Sequence, residues 1–349
     1  MPQNTVASGR AWLYIKNVGR QGQVGMGFSQ PVGVATLDDG TMYVANRGGE
    51  QNPSARITKC TIGSTDGKGG EEFLGEFGRE GIAYQASSRG LFEWITGIAL
   101  DTAGNVYASD EWKNMVAVFD ADGNLVKHWG EAGEGEGQLS GAAGLVFDAD
   151  DNLWVVSAKS SRVQKFSKDG EYLGGFGTKG SGPEDLEMPS GIAIDDAGDL
   201  YIADWGNHRV QKYTAGGTHL RTFGSRGTRS GELNHPLDVT IDNEGDVYVA
   251  DWMNERVVIY DADARPLAYL EGDATEVSEW GDLSLNANPD MVKARRRVPD
   301  LEQQQRTFRM PMGVSFDRTN NRLLVCDTLR SRLQIYEKDD SYLDPQFNL

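Results

Sequence analysis

One segment that recurs at a fixed spacing dictates what this chain can fold into. Residues Gly191 to Lys212 read GIAIDDAGDLYIADWGNHRVQK. Ile192 to Ile194 and Leu200 to Ala203 are apolar runs separated by turn residues, and a polar turn from Asp204 to His208 leads into an alternating third run. Runs of this length, bounded by Gly, Asp and Asn, read as short β-strands. Copies of the pattern start at Gly97, Gly144, Gly191 and Asp238, each 47 residues after the one before. Looser copies start at Gly33, with its third strand delayed to Arg56–Cys60, and at Gly313. Six stacked copies of one supersecondary unit bury their faces against their neighbours, so residues 1–349 are expected to form a single domain.

The ends of the chain say how the array closes. In the middle copies a fourth strand comes last, as at Tyr172–Phe176 and Leu220–Phe223. The run AWLYIK at Ala11–Lys16 looks like such a strand without its own repeat, while the sixth copy stops after Gln334–Tyr336 and runs into a polar tail. If the N-terminal strand completes the last copy, a ring closes and no long edge is left unpaired. The expected architecture is all-β, a six-bladed propeller of four-stranded antiparallel blades around a central channel.

The residues Asp204, Asn207, Arg209, Val210, Gln211, Lys212 and Tyr213, preceded by Pro189, Gly191, Ile192 and Ala193, form a pattern that resembles the NHL-repeat family of six-bladed propellers. The resemblance implies the fold and leaves the activity open. The family includes RNA-binding modules, protein-interaction and sensor domains, and a zinc-dependent peptide-amidating lyase.

The repeated polar residues read first as structure. Asp110, Asp204, Asp251 and Asp327 stand in the turn after the second strand, with Asn46 and Ser157 in the same place, and Arg162, Arg209, Arg256 and Arg332 follow five residues on. Asp bonds nearby backbone N–H groups in turns, and Arg can meet it with a paired donor fork. Departures from the repeat are better candidates for function. Asp238 stands where other copies have Gly, which puts a carboxylate beside the channel, and His235 approaches the same rim. Trp112, Trp205 and Trp252 all lie in the polar turns of one face. With Arg209, Arg256 and Asp238 they are the candidate ligand-binding residues; Asp238 and His235 are the candidates for catalysis and for a metal.

The largest departure is an insertion of 28 residues beyond the period between the fifth and sixth copies. Val277, Trp280 and Leu283 have helical spacing, and Asn288-Pro289-Asp290 supplies an N-cap, a first-turn proline and an early acid. The segment 271–307 is expected to be helical and to lie across the channel mouth as a lid. A second excess, of 17 residues between the first two copies, includes the delayed turn RGGEQNPSAR on the same face.

Composition narrows the function. The formal charge of −18 disfavours nucleic acid as a partner, since phosphate neutralisation supplies most of that affinity. No apolar run approaches the roughly 18 residues that cross a bilayer, and no apolar segment follows a basic start, so the chain reads as cytoplasmic. Two cysteines, Cys60 and Cys326, are too few for a disulfide scaffold. Of four histidines, His208 sits inside the repeat and His128 and His219 near outer strands, so the amidating lyases' three-histidine zinc site has no match here. Calcium or zinc in the channel would have to use Asp238, His235 and backbone carbonyls. Two functional classes remain: a propeller that binds a small molecule, peptide or protein on its turn-rich face, or a metal-assisted lyase or hydrolase acting at the channel mouth.

Overall fold

In a computed structural model, which describes residues 5–48, 54–65, 70–79 and 91–342, the six copies are six antiparallel sheets. Their innermost strands are Pro31–Thr36, Ile95–Leu100, Ala142–Phe147, Pro189–Ile194, Pro236–Ile241 and Pro311–Asp317, which head blades 1 to 6 in that order. Each packs against the next, and the sixth against the first, so the ring is closed. Strands alternate in direction within a blade. The turn after the second strand and the connection after the fourth therefore open on one face, called here the turn face.

Blade 6 borrows its fourth strand. Arg10–Val18 pairs antiparallel with Arg332–Asp339, with Trp12 opposite Lys338 and Val18 opposite Leu333. Beyond it lies a fifth strand, Thr5–Ala7, too short to stand out as an apolar run. Trp12 is fully buried, and its Nε1 donates to Tyr248 Oη of blade 5 at 2.9 Å. Tyr248 donates to Asp242 at 2.7 Å, and Asp242 accepts from Lys338 Nζ at 2.6 Å. The seam is thus sewn by a buried polar chain inside an aromatic and aliphatic cluster.

Each blade carries a second device that repeats with the period. Three residues before every inner strand stands a buried apolar side chain: Phe28, Phe92, Leu139, Leu186, Leu233 and Phe308. These pin the long connections onto the core and keep the turn face in place above it.

The insert forms three short helices, α1 (Glu279–Asn286), α2 (Pro289–Arg295) and α3 (Leu301–Arg306). Ser278 caps α1 and Asn288 caps α2, the latter at the expected asparagine. The placement differs from the expected lid. Trp280 is buried between Phe28 and Phe73, and Asn17 donates to Glu276 O, so α1 lies on the outer seam of blades 6 and 1. The reason is the single large apolar residue: Trp280 finds its apolar pocket there, while Leu283 stays exposed. Among the described residues, none from 271–307 lines the channel. The delayed turn of blade 1 lies partly outside the described residues.

Replacing Trp12 by Ala should lower stability by about 3–5 kcal/mol, the usual cost of removing a large buried aromatic. Val6→Ala, on the half-exposed fifth strand, should change it by less than about 0.5 kcal/mol. Urea unfolding of both variants checks the pair, and equal effects would mean that the borrowed strand does not hold the ring.

Candidate functional site

The six inner strands enclose a central cavity of about 410 Å³. Its wall is mostly aliphatic, from residues such as Val34, Ile98, Val146 and Ile194. Thr36, Thr96, Ser190, Thr240 and Ser315 add hydroxyls, and three charged residues also line it: Asp238, Arg47 and Arg318.

Asp238 owes its position to the ring. In blades 2, 3, 4 and 6 the equivalent residue is a Gly past which the next inner strand runs too close for a side chain, whereas at Gly33 the nearest atom a Cβ would meet is Ile98 Cγ2 at 3.2 Å. A Cβ at Gly97 would lie 2.6 Å from Ala143 O, and one at Gly144 2.6 Å from Ser190 O. In blade 5 the gap to blade 6 admits a carboxylate. Asp238 Oδ2 accepts from Val314 N at 3.0 Å, and Oδ1 accepts from Val239 N at 3.0 Å. Burial pushes its carboxyl up to about 7, and these two N–H donors offset only part of that rise. The group therefore bridges two blades and titrates near neutrality inside the channel.

The two arginines sit at opposite ends. Arg318 closes the far end: its guanidinium donates to Ile241 O and Ile194 O and pairs with Asp196 at 2.5 Å, joining three blades. Arg47 follows Asn46, at the turn-face end. Its Nε donates to Ile95 O at 3.3 Å, Nη1 lies 3.9 Å from Met312 Sδ, and the guanidinium stacks on Trp94 with 4.7 Å to the ring centre. Burial lowers its pKa to about 10, with Glu111 and Asp110 opposing the shift.

Arg47 was not among the residues the sequence singled out, although register could have found it. It occupies the place directly after the turn residue Asn46, as Trp205 follows Asp204 and Trp252 follows Asp251. Trp112 stands one place later, after Glu111. The structure accordingly brings Trp205 and Trp252 together, with ring centres 6.5 Å apart. Trp112, two blades from Trp205, projects into solvent with Lys159 Nζ 5.9 Å from its ring centre. Of the three turn-face tryptophans only Trp205 and Trp252 meet.

His235 stacks on Trp205 at 4.3 Å and on His208 at 4.1 Å. Its backbone N–H donates to His208 Nδ1 at 3.1 Å, which requires the His208 proton on Nε2. Gly141 N makes the same inter-blade bond to Asn114 Oδ1. His208, read from sequence as an ordinary repeat residue, is thus a blade-to-blade link. Burial lowers the pKa of both histidines, and Arg226 contributes to each shift. His235 sits on the rim and is absent from the channel lining. Among the described residues no three His, Cys, Asp or Glu side chains converge as a metal site.

Arg209 and Arg256 are engaged in the blades. Arg209 Nε donates to Asp204 at 2.8 Å, and Nη2 donates to Gly182 O and Asp185 O. Arg256 repeats this with Asp251 and with the carbonyls of Arg229 and Glu232. Asp204 and Asp251 also accept from the backbone 17 residues upstream, at Glu187 and Asn234. Each clasp joins the second strand, the third strand and the preceding connection. Burial raises both carboxyls above their ordinary value, and the hydrogen bonds pull back against it.

The NHL-repeat family matches residues 186–213 and 233–260, which lie in blades 4 and 5. No curated protein matches the chain. Among solved structures, a streptogramin B lyase is 11% identical with a TM-score of 0.55, over 94% of this chain and 98% of its own. Virginiamycin B lyase from Staphylococcus aureus is 13% identical with a TM-score of 0.52, over 92% and 98%. A gluconolactonase from Xanthomonas campestris is 15% identical with a TM-score of 0.57, over 97% and 95%. Likeness at this identity establishes the shared fold.

Two outcomes follow from the geometry. Between pH 4 and 7 the folded chain keeps a proton on Asp238 that the unfolded chain has lost, so this group makes stability fall as pH rises through that window. Asp238→Asn should remove the slope, making the change in stability from pH 4.5 to 7.5 about 3 kcal/mol less unfavourable, at about 1.4 kcal/mol per unit. Urea unfolding of both proteins at the two pH values reads the difference. Separately, Arg209→Ala leaves the buried Asp204 carboxylate without its cation and should cost about 3–5 kcal/mol. Asp204→Ala should then add less in that background than it costs alone, which a double-mutant cycle measures.

Proposed function

We propose that this chain, an NHL-repeat β-propeller of six blades, is a binding module that takes a small molecule into its channel from the turn face. The observation that carries the reading is the cavity of about 410 Å³. Its aliphatic wall carries a few converging polar groups, the arrangement typical of small-ligand sites. Arg318 spans the far end, so the turn face is the natural entrance. Trp205 and Trp252 offer an aromatic rim there, and peptide or protein partners would use the same rim.

A second reading, a lyase or hydrolase acting at the mouth, is favoured by one observation, the Asp238 carboxyl near 7, which suits a general acid or base. Either metal assistance or a water held by Asp238 would have to complete it.

Screening metabolites and divalent metals by thermal stabilisation tests both. A ligand at a hundred times its dissociation constant should stabilise by about 2.7 kcal/mol. Val146→Trp, which fills the channel, should abolish that shift. A ligand whose shift survives this substitution would place binding outside the channel. A stoichiometric bound metal lost with Asp238→Asn would favour the enzyme.

A further inference from the structure

The turn-face mouth is built from two positions per blade. One is the residue that follows the turn residue ending the second strand; the other is the residue just before the next blade's inner strand. In blade 1 these are Arg47 and Trp94, and in blade 4 they are Trp205 and His235. In both, the first side chain leans on the second, at 4.7 Å and 4.3 Å. Blade 5 presents Trp252 in the first position. The mouth is therefore asymmetric in chemistry while nearly sixfold in geometry: a cation at blade 1, and aromatic surface at blades 4 and 5.

Arg47 lacks the carboxylate partner that four other arginines around the channel and in the clasps possess. Arg209, Arg256, Arg318 and Arg332 each meet an aspartate within 2.8 Å. Arg47 has a backbone carbonyl, a thioether and an aromatic face, and among the described residues no carboxylate lies within ion-pair distance of it. Two acids act on it from beyond ion-pair distance: Glu111 is paired with Lys159 at 3.5 Å, and the Asp110 carboxylate accepts from the backbone N–H groups of Glu93, Trp94, Trp112 and Lys113. A half-buried guanidinium without a counter-ion is costly to maintain. It also presents the planar donor fork that matches a carboxylate in two parallel hydrogen bonds. Below it lies a channel whose wall is aliphatic and whose one carboxylate, Asp238, already accepts from Val314 and Val239.

Resting on the channel-binding reading above, we propose that the ligand is an organic anion whose carboxylate is held by Arg47 at the blade 1 side of the mouth, with its apolar body against the aliphatic channel wall below. The channel supplies hydroxyls from Thr96 and Ser190 for further polar groups of such a ligand.

The test uses the full chain and defined probes: benzoate, phenylacetate and indole-3-acetate, each against its neutral amide, together with phenyl phosphate and inorganic phosphate. Binding is read by calorimetry and by quenching of tryptophan fluorescence. At least one carboxylate should bind at least tenfold more tightly than its amide. Arg47→Met should erase that preference and Arg47→Lys should retain part of it, with circular dichroism showing that both variants are folded in the absence of probe. Trp205→Ala, on the opposite side of the ring, should leave the preference for acid over amide in place. Tighter binding of the phosphates than of every carboxylate would overturn the carboxylate assignment. Equal binding of acid and amide that is lost in Val146→Trp would overturn the Arg47 anchor and leave the channel reading standing. Binding that is insensitive to Val146→Trp, or no probe binding at all, would sink the anchor, and only the former also removes the channel.

Discussion

The molecule depends on an ammonium group held among carboxylates. Lys338 is buried on the last strand, and its Nζ meets Asp242 at 2.6 Å, Asp340 at 2.9 Å, Glu244 at 3.0 Å and Asp246 at 3.1 Å. Arg10, from the borrowed strand, adds a second cation to Asp246 at 3.1 Å. Burial alone would lower the lysine's pKa; the carboxylates outweigh it and hold the value above that of a free lysine. Asp242 and Glu244 belong to blade 5, Lys338 to blade 6 and Arg10 to the N-terminal strand. One cluster of charge thus ties together the three pieces whose registry closes the circle. An ion cluster like this adds little net stability over an apolar packing of equal volume, yet it tolerates few alternative arrangements, which suits a joint where a strand must pair in one register.

Away from the seam, a different economy prevails. The aspartate–arginine clasps and the apolar anchors do the same work in blade after blade, so the positions between them are released from structural duty. This explains why the turn face can carry an arginine, an alanine or a tryptophan at equivalent places without disturbing the sheets. It also explains why Asp238 is the exception among inner-strand heads: where the neighbouring backbone stands off, a side chain enters, and the channel gains a titratable group that its sister positions exclude by contact.

Most of the fold was legible because period and turn chemistry are local properties. The spacing of Gly97, Gly144 and Gly191, and the orphan strand near Trp12, were enough for blade number and closure. Helix caps at Asn288 and the clasp residues were legible for the same reason. What escaped notice depended on direction in space. Trp112 shares a turn with its apparent equivalents in composition but is offset by one residue, and one residue decides whether a side chain faces the axis or the solvent. Arg47 looked like part of a loop until its register was compared with that of Trp205. The destination of the insert hung on which cavity would accept Trp280, and that pocket, between Phe28 and Phe73, is assembled from segments some 45 residues apart. The apolar anchors three places ahead of each inner strand follow the same 47-residue rhythm through Phe92, Leu139, Leu186 and Leu233, but as single apolar residues within Gly-rich connections they carry no strand or helix pattern.

The borrowed strand also sets the order of events during synthesis. Trp12 and Lys338 face each other across a sequence separation of 326 residues, so the segment made near the start must wait for the one made near the end. Contacts this distant along the chain form slowly, because a long loop has to close before any of them is rewarded. Blades 1 to 5 can each zip as local meanders while translation proceeds. The last blade cannot, and a nascent chain will expose the apolar flank of Arg10–Val18 throughout. That strand is consequently where a chaperone would find its handle, and where two unfinished molecules would most readily exchange partners.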